Sequence, residues 1–153
     1  MVTTSSYLTG TNQQPPNILI FPVLPATLAI AHHIPNYPSA EKIERKQRFI
    51  RLTTDALQLG EQKQRMIIIG DMNVLEPDHQ PRYRFSQDWE YGFYKHLSSM
   101  GHDAYRLSNG AAMEYSWVGR TGDGYRYDHA FISQNIRPNI TRCGYIHETR
   151  TRA

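Results

Sequence analysis

Residues 66–73 read MIIIGDMN, and no other stretch restricts the fold as strongly. Four apolar residues without polar alternation suit a β-strand buried on both faces, which places the segment at the centre of a sheet. The glycine and the polar residues after it then stand just past the carboxyl end of that strand, where open α/β sheets gather ligands. If the chain stays extended past Gly70, Asp71 and Asn73 point the same way. Gly70 lets the backbone pass close to a bound group, Asp71 can hold a water or a metal-bound water, and Asn73 offers a neutral amide to an anionic oxygen. A carboxylate beside an amide suits phosphate hydrolysis. Gly, Asp and Asn are also ordinary turn formers, so a plain turn remains the alternative.

The rest of the chain supplies elements for such a sheet. Residues 1–16 are polar and close on Pro15 and Pro16, which reads as a flexible arm. NILIFPVL (17–24) and TLAIAHHI (27–34) are β-branched and apolar, and the prolines between them break them into two short strands. PNYP (35–38) is a turn or loop. Ser39 is the expected N-cap of a helix in which Ile43, Phe49, Ile50, Ala56 and Leu57 fall near helical spacing until Gly60. Lys42, Arg45, Lys46 and Arg48 are expected on its wet side. Ser86 caps a second helix with a Trp89, Phe93, Leu97, Met100 stripe. EYSWVG and GYRYDHAFIS flank RTGD as an antiparallel hairpin, and NITRCGYIH is expected to be a last strand. The order predicts an α+β fold, a mixed sheet with flanking helices.

A length of 153 residues with 39% hydrophobic content is enough for one compact core. No apolar run approaches the ~20 residues needed to cross a bilayer, and the N-terminus has no secretory pattern. A soluble, cytoplasmic protein with no membrane partner is expected. Cys143 is the only cysteine, so no internal disulfide forms, and a buried, inert thiol is its expected state. A formal charge of +3 tolerates an anionic partner without requiring one.

In YRYDHAFIS, period two places Arg126, Asp128, Ala130 and Ile132 on one face and Tyr125, Tyr127, His129 and Phe131 on the other. A half-buried Asp128 needs a partner, either the ring N–H of a histidine, as in sites that fix a catalytic imidazole, or Arg126 in a structural ion pair. His32 and His33 end another strand, within reach of a bound phosphate or simply exposed.

Taken together, IIIGDMNV, YSW and GYRYDHAFIS resemble the endonuclease/exonuclease/phosphatase superfamily, whose fold is that of deoxyribonuclease I, and most closely its exonuclease III and abasic-site endonuclease branch. The family's GDxN motif matches at Asp71 and Asn73, its Ser-Trp region at Trp117, and its Arg-x-Asp at Arg126 and Asp128. AHHIPN resembles the segment whose tyrosine or histidine contacts the target phosphate, which puts His33 there. The order and distances agree from about Asn17 to His147. The resemblance implies a part of a four-layer α/β-sandwich, occupying residues 17–153 as the second half of the domain.

The family's early asparagine and its principal metal-binding glutamate have no match here, and its final Ser-Asp-His motif is not matched either; His147, beside Glu148 and Thr149, does not fit it. The chain is therefore expected to be a portion of a longer fold. The resemblance implies a Mg²⁺- or Mn²⁺-dependent phosphodiester hydrolase, a nuclease of DNA repair type, with DNA, including DNA carrying abasic sites, as partner. Asp71 would orient or deprotonate the attacking water and reach the metal through water. Asn73 would bond a phosphate oxygen, His33 would contact the phosphate, and Asp128 would hold a catalytic histidine. Arg126, Trp117 and Tyr115 would line the substrate groove, although the two aromatics also suit sheet and core. The alternatives are a catalytically degenerate nucleic-acid-binding module, and a phosphatase or phospholipid phosphodiesterase of the same superfamily. A lone second half should expose an apolar sheet face and self-associate through it.

Overall fold

A computed structural model of the chain describes residues 19–22, 27–34, 39–59, 65–80 and 86–147. The expected arm at 1–16 and the PNYP turn lie outside the described residues.

Two strands, β1 (Leu19–Pro22) and β2 (Thr27–His33), lead into helix α1 (Ala40–Leu59), which crosses to strand β3 (Arg65–Asp71). Helix α2 (Asp88–Met100), the short strand β4 (His102–Asp103) and helix α3 (Ala104–Asn109) follow. The chain continues with β5 (Trp117–Val118), β6 (Gly124–Tyr125), β7 (Asp128–Ile132) and a 3₁₀ turn at Arg137–Asn139. The main sheet has five strands in the order β1-β2-β3-β7-β4, and β5-β6 form a separate ribbon. Only β2 and β3 are parallel, joined by the α1 crossover that parallel pairing requires. The other pairs are antiparallel, so the sheet is mixed, and β3 lies at its centre as expected. Pro22 is tolerated because β1 is an edge. No described helix is long and apolar enough to cross a membrane.

One face of the sheet carries the main core: Ile68 of β3 and Phe131 of β7 pack with Phe49, Ile50 and Leu57 of α1 and Phe93, Tyr94 and Leu97 of α2. Burying each such side chain stabilises the fold by about 1.5–3 kcal/mol. The other face is less covered. Ile132, Ala104 and Ile136 form a small second cluster, with Ile67, Ala130, Ile140 and Cys143 against it. Ile69, in the middle of β3, is 49% exposed. The expectation of a strand buried on both faces is thus corrected, because among the described residues the two long helices cover one face of β3, while the other meets only the small cluster at Ile67 and leaves Ile69 half-exposed. Cys143 is half-buried, and burial pushes its thiol pKa up, in keeping with an inert thiol.

Several other expectations change. Helix α2 begins one residue later than Ser86 implied: Gln87 is the cap, and its N–H donates to Glu90 Oε2 at 2.8 Å in a capping box. In α1, Ile43 and Ala56 are exposed, whereas Lys46 is only 4% exposed. Lys46 was expected on the wet side, but it falls on the same stripe as Ile50, Thr53 and Leu57. The hairpin across RTGD exists as Trp117↔Tyr125 and Val118↔Gly124, yet GYRYDHAFIS is not one strand. It bends at Arg126 and Tyr127, so that β6 pairs with β5 and β7 joins the main sheet. NITRCGYIH is the end of the 3₁₀ turn followed by irregular chain, not a strand.

Candidate phosphodiesterase site

The interleaving in Gly-Asp-Met-Asn-Val explains how the site is presented. Met72 and Val74 are buried in the main core, and anchoring them there leaves Asp71 and Asn73 half-buried at the strand end. The ladder holds up to this point: the N–H of Ile34 donates to Asp71 O at 2.8 Å and that of Met72 to Tyr127 O at 2.9 Å. Gly70 has φ 147°, which side chains rarely adopt, and Asn73 has φ 47°, a left-handed conformation that asparagine tolerates. The chain therefore stays in the ladder through Asp71 and Met72 and leaves the extended form at Asn73. It closes a turn in which the Asn73 N–H donates to Asp71 Oδ1 at 3.1 Å and Asn73 Nδ2 donates to Ile34 O at 2.5 Å. The turn and the candidate site are the same object.

Sheet register then brings three of the four expected catalytic residues into one row. His33 pairs with Asp71 across β2 and β3, and Asp71 pairs with Asp128 across β3 and β7. Directly opposed residues of an antiparallel pair share a face, with Cβ atoms about 4.5–5.5 Å apart, and like charges so placed repel. A cation, or a donor such as an imidazolium, between Asp71 and Asp128 relieves that repulsion. Asn73 stands two residues beyond the row. Asp128 is fixed through its backbone: its N–H donates to Ser116 Oγ at 3.1 Å and its carbonyl accepts from the Tyr145 hydroxyl at 2.7 Å.

The expected substrate contacts divide. Trp117 is 51% exposed and lies tilted over Tyr125 and Tyr127, with ring centroids 5.9 and 6.1 Å away. Tyr115 is half-buried, edge-on to His79 at 6.0 Å, and its hydroxyl donates to Gln80 O at 3.4 Å. Arg126 is corrected from a substrate contact to an interior residue, because it is 1% exposed. Its Nη2 donates to Glu76 Oε2 and to Asp103 Oδ2, both at 2.8 Å, and its guanidinium lies 5.1 Å over the Tyr105 ring. The structural pairing of Arg126 with Asp128 is thereby overturned. The bend between β6 and β7 also turns Arg126 to the side of His129, whose Nδ1 is 3.7 Å from Asp103 Oδ2. Burial alone would raise the Glu76 pKa, but hydrogen bonds and positive charge from Arg106 and Arg126 outweigh it and lower it to about 2. Asp103 is held well below the usual carboxylate range against the same burial, by hydrogen bonds and charge from His129 and Arg126. His147, at the end of the described chain, pairs with Glu114 at 2.6 Å on the surface, apart from the role its absent motif would give.

Sequence reasoning missed Glu76, Asp103, Ser116 and Lys46. Ser116 accepts the N–H groups of both Tyr127 and Asp128, at 3.0 and 3.1 Å, and so makes the bend that aims Asp128. A buried Glu76 was signalled by its place in the apolar VLEP run, where a carboxylate needs a cationic partner. Among the described residues, no group of three or more His, Cys, Asp or Glu side chains is placed to hold a metal ion.

No family profile and no curated protein matches the chain. Solved structures do. An AP endonuclease from Archaeoglobus fulgidus matches with a TM-score of 0.64 at 16% identity, over 82% of this chain and 61% of that one. A 3′-5′ exonuclease from Neisseria meningitidis matches with a TM-score of 0.58 at 17% identity, over 81% of this chain and 60% of that one. The catalytic domain of APE2 from Xenopus laevis gives 0.51 at 19% identity, over 72% of this chain and 41% of that one. Identities this low establish the fold alone. The chain is α+β and shares the deoxyribonuclease I-like fold of these structures. It spans 61% and 60% of the first two proteins.

Proposed function

We propose that this chain is the second half, residues 17–153, of a phosphodiester hydrolase that acts on DNA, within a four-layer α/β-sandwich. The observation that carries the reading is the His33–Asp71–Asp128 row at one end of β2, β3 and β7, with the Asn73 turn beside it. Asp71 takes the proton of the attacking water and His33 contacts the phosphate. An amide nitrogen carries two hydrogens, so the bond from Asn73 to Ile34 fixes the amide and leaves a second donor for a phosphate oxygen. Asp128 would orient the imidazole of a histidine supplied from outside the described residues, which would protonate the leaving oxygen. Trp117 and Tyr115 line the groove, and lysines and arginines on the loops make salt-dependent phosphate contacts.

The described residues do not by themselves complete a site for Mg²⁺ or Mn²⁺. Metal dependence stays part of the proposal through Asp71, acting across a water, with the principal carboxylate coming from outside the described residues. That incompleteness also favours the second reading, a nucleic-acid-binding module that lacks the chemistry. The half-open sheet face at Ile69 supports both the missing layers and self-association of the chain through that face.

The test is cleavage of a duplex bearing an abasic-site analogue, with Mg²⁺ and with a chelator, by the chain, by a form that also carries the first half of the domain, and by Asp71→Asn in each. Metal-dependent cleavage by the form that also carries the first half of the domain, absent from the chain alone and about a hundredfold lower with Asp71→Asn, is the expected result. Salt-sensitive binding without cleavage supports the binding module, and neither binding nor cleavage sinks both nucleic-acid readings.

A further inference from the structure

Lys46 is a buried cation that the proposed chemistry does not use. Its Nζ donates to the backbone carbonyl of Asn73 at 2.6 Å and forms an ion pair with Glu90. The two side chains are 5% and 12% exposed. An ammonium so far from water is retained only where its bonds replace hydration, and both bonds here meet next to the candidate site. Glu90 is committed on its other side, since Oε2 accepts the Gln87 N–H that caps α2. One lysine therefore ties α1, the N-terminus of α2 and the Gly-Asp-Met-Asn turn together, and its ammonium lies 5.7 Å from the Trp89 ring centroid.

The position of the bond matters. Asn73 adopts the left-handed φ of 47°, a conformation that costs energy for any residue but glycine and so needs outside support. Its side chain is held by Ile34, its N–H by Asp71, and its carbonyl by Lys46. Of these three anchors only Lys46 comes from a helix, and it is the one that fixes the peptide plane following Asn73. Releasing it lets Asn73 relax out of its left-handed conformation, which shifts the N–H bond to Asp71 and the aim of the Asn73 amide.

We propose that Lys46 is a positioning residue that sets the pose of Asp71 and Asn73 through the Asn73 carbonyl, with Glu90 as the counter-ion that keeps the ammonium there. The catalytic consequence rests on the phosphodiesterase reading; the positioning itself does not.

The experiment compares the full chain with Lys46→Met, Glu90→Gln and the double variant. Lys46→Met strands the Glu90 carboxylate and is expected to melt early. The double variant removes both buried charges while the amide at position 90 still accepts the Gln87 N–H, so it should recover most of the melting temperature. Amide hydrogen exchange at Asn73 in the double variant should still be about tenfold faster than in the parent, with the α1 and α2 amides unchanged. In the form that also carries the first half of the domain, cleavage of the abasic duplex, measured well below the melting temperature and per folded molecule, should lose about tenfold in kcat, a loss that a smaller folded fraction does not account for. Exchange at Asn73 equal to that of the parent overturns the positioning role. If the form that carries both halves of the domain cleaves nothing, the phosphodiesterase reading fails, and the exchange measurement still decides the role of Lys46.

Discussion

Arg126 shows how a motif residue can matter without touching a ligand. Its guanidinium holds Glu76 and Asp103, which lie 50 and 23 residues away in sequence, and Asp103 also accepts the Tyr94 hydroxyl at 2.9 Å. Replacing it by methionine leaves Asp103 buried without its guanidinium and Glu76 with Arg106 alone, and Arg126→Met is expected to lose about 3 kcal/mol in urea unfolding. Asn73→Ala should lose about 1–2 kcal/mol, since it removes the bond to Ile34 and keeps the left-handed strain, whereas Asn73→Gly should lose less because glycine relieves that strain. Denaturant midpoints of the two variants check the order. Asp71, Asn73 and Asp128 were legible because their setting is local: a strand end, a turn, a pleat. The partners of Arg126 were not, because period two fails at the bend and because no local rule says which distant carboxylate a buried arginine meets.

At the level of elements, strands β2 and β3 and both long helices could be read from hydrophobic period and punctuation. The start of α2 lies one residue later than Ser86 implies, and Lys46 faces the core because it stands one turn before Ile50, in line with Thr53 and Leu57. Short elements were invisible: β4 and α3 have two and six residues, too few for a period to show. Asp103 starts α3, accepting the N–H groups of Tyr105 and Arg106 at 2.9 and 3.2 Å, and that cap makes so short a helix persist. The divided β6–β7 segment depends on a single hydroxyl. Ser116→Ala leaves the Tyr127 and Asp128 amides without their acceptor, and a loss of about 1–3 kcal/mol is expected, measured by thermal melting. Chemical-shift changes should concentrate at Tyr127 and Asp128.

For the whole molecule, the buried carboxylates set the acid limit. Glu76 has its pKa lowered from 4.5 to about 2, and Asp103 shifts the same way. A lowered folded pKa means that the associated stability is complete above the unfolded value and is lost as pH falls toward the folded one. Glu76 alone accounts for about 3 kcal/mol that should disappear between pH 4.5 and 2, seen as a steep fall in melting temperature there. Substituting Glu76→Gln should flatten that fall. The mixed sheet and its α+β character were legible at this scale from the order of the elements. The one-sided covering of β3 was not, since an apolar run looks the same whether a second layer covers it or not.

The Glu76–Arg126–Asp103 cluster also acts as a lock on strand alignment. A slip of β7 by one residue exchanges its two faces, carrying His129 and Phe131 to the open side and leaving the carboxylates facing an apolar neighbour. Misaligned forms of the sheet thus strand charge in the interior while the native alignment neutralises it. The pairing that places Asp71 opposite Asp128 is selected by residues that never meet a substrate.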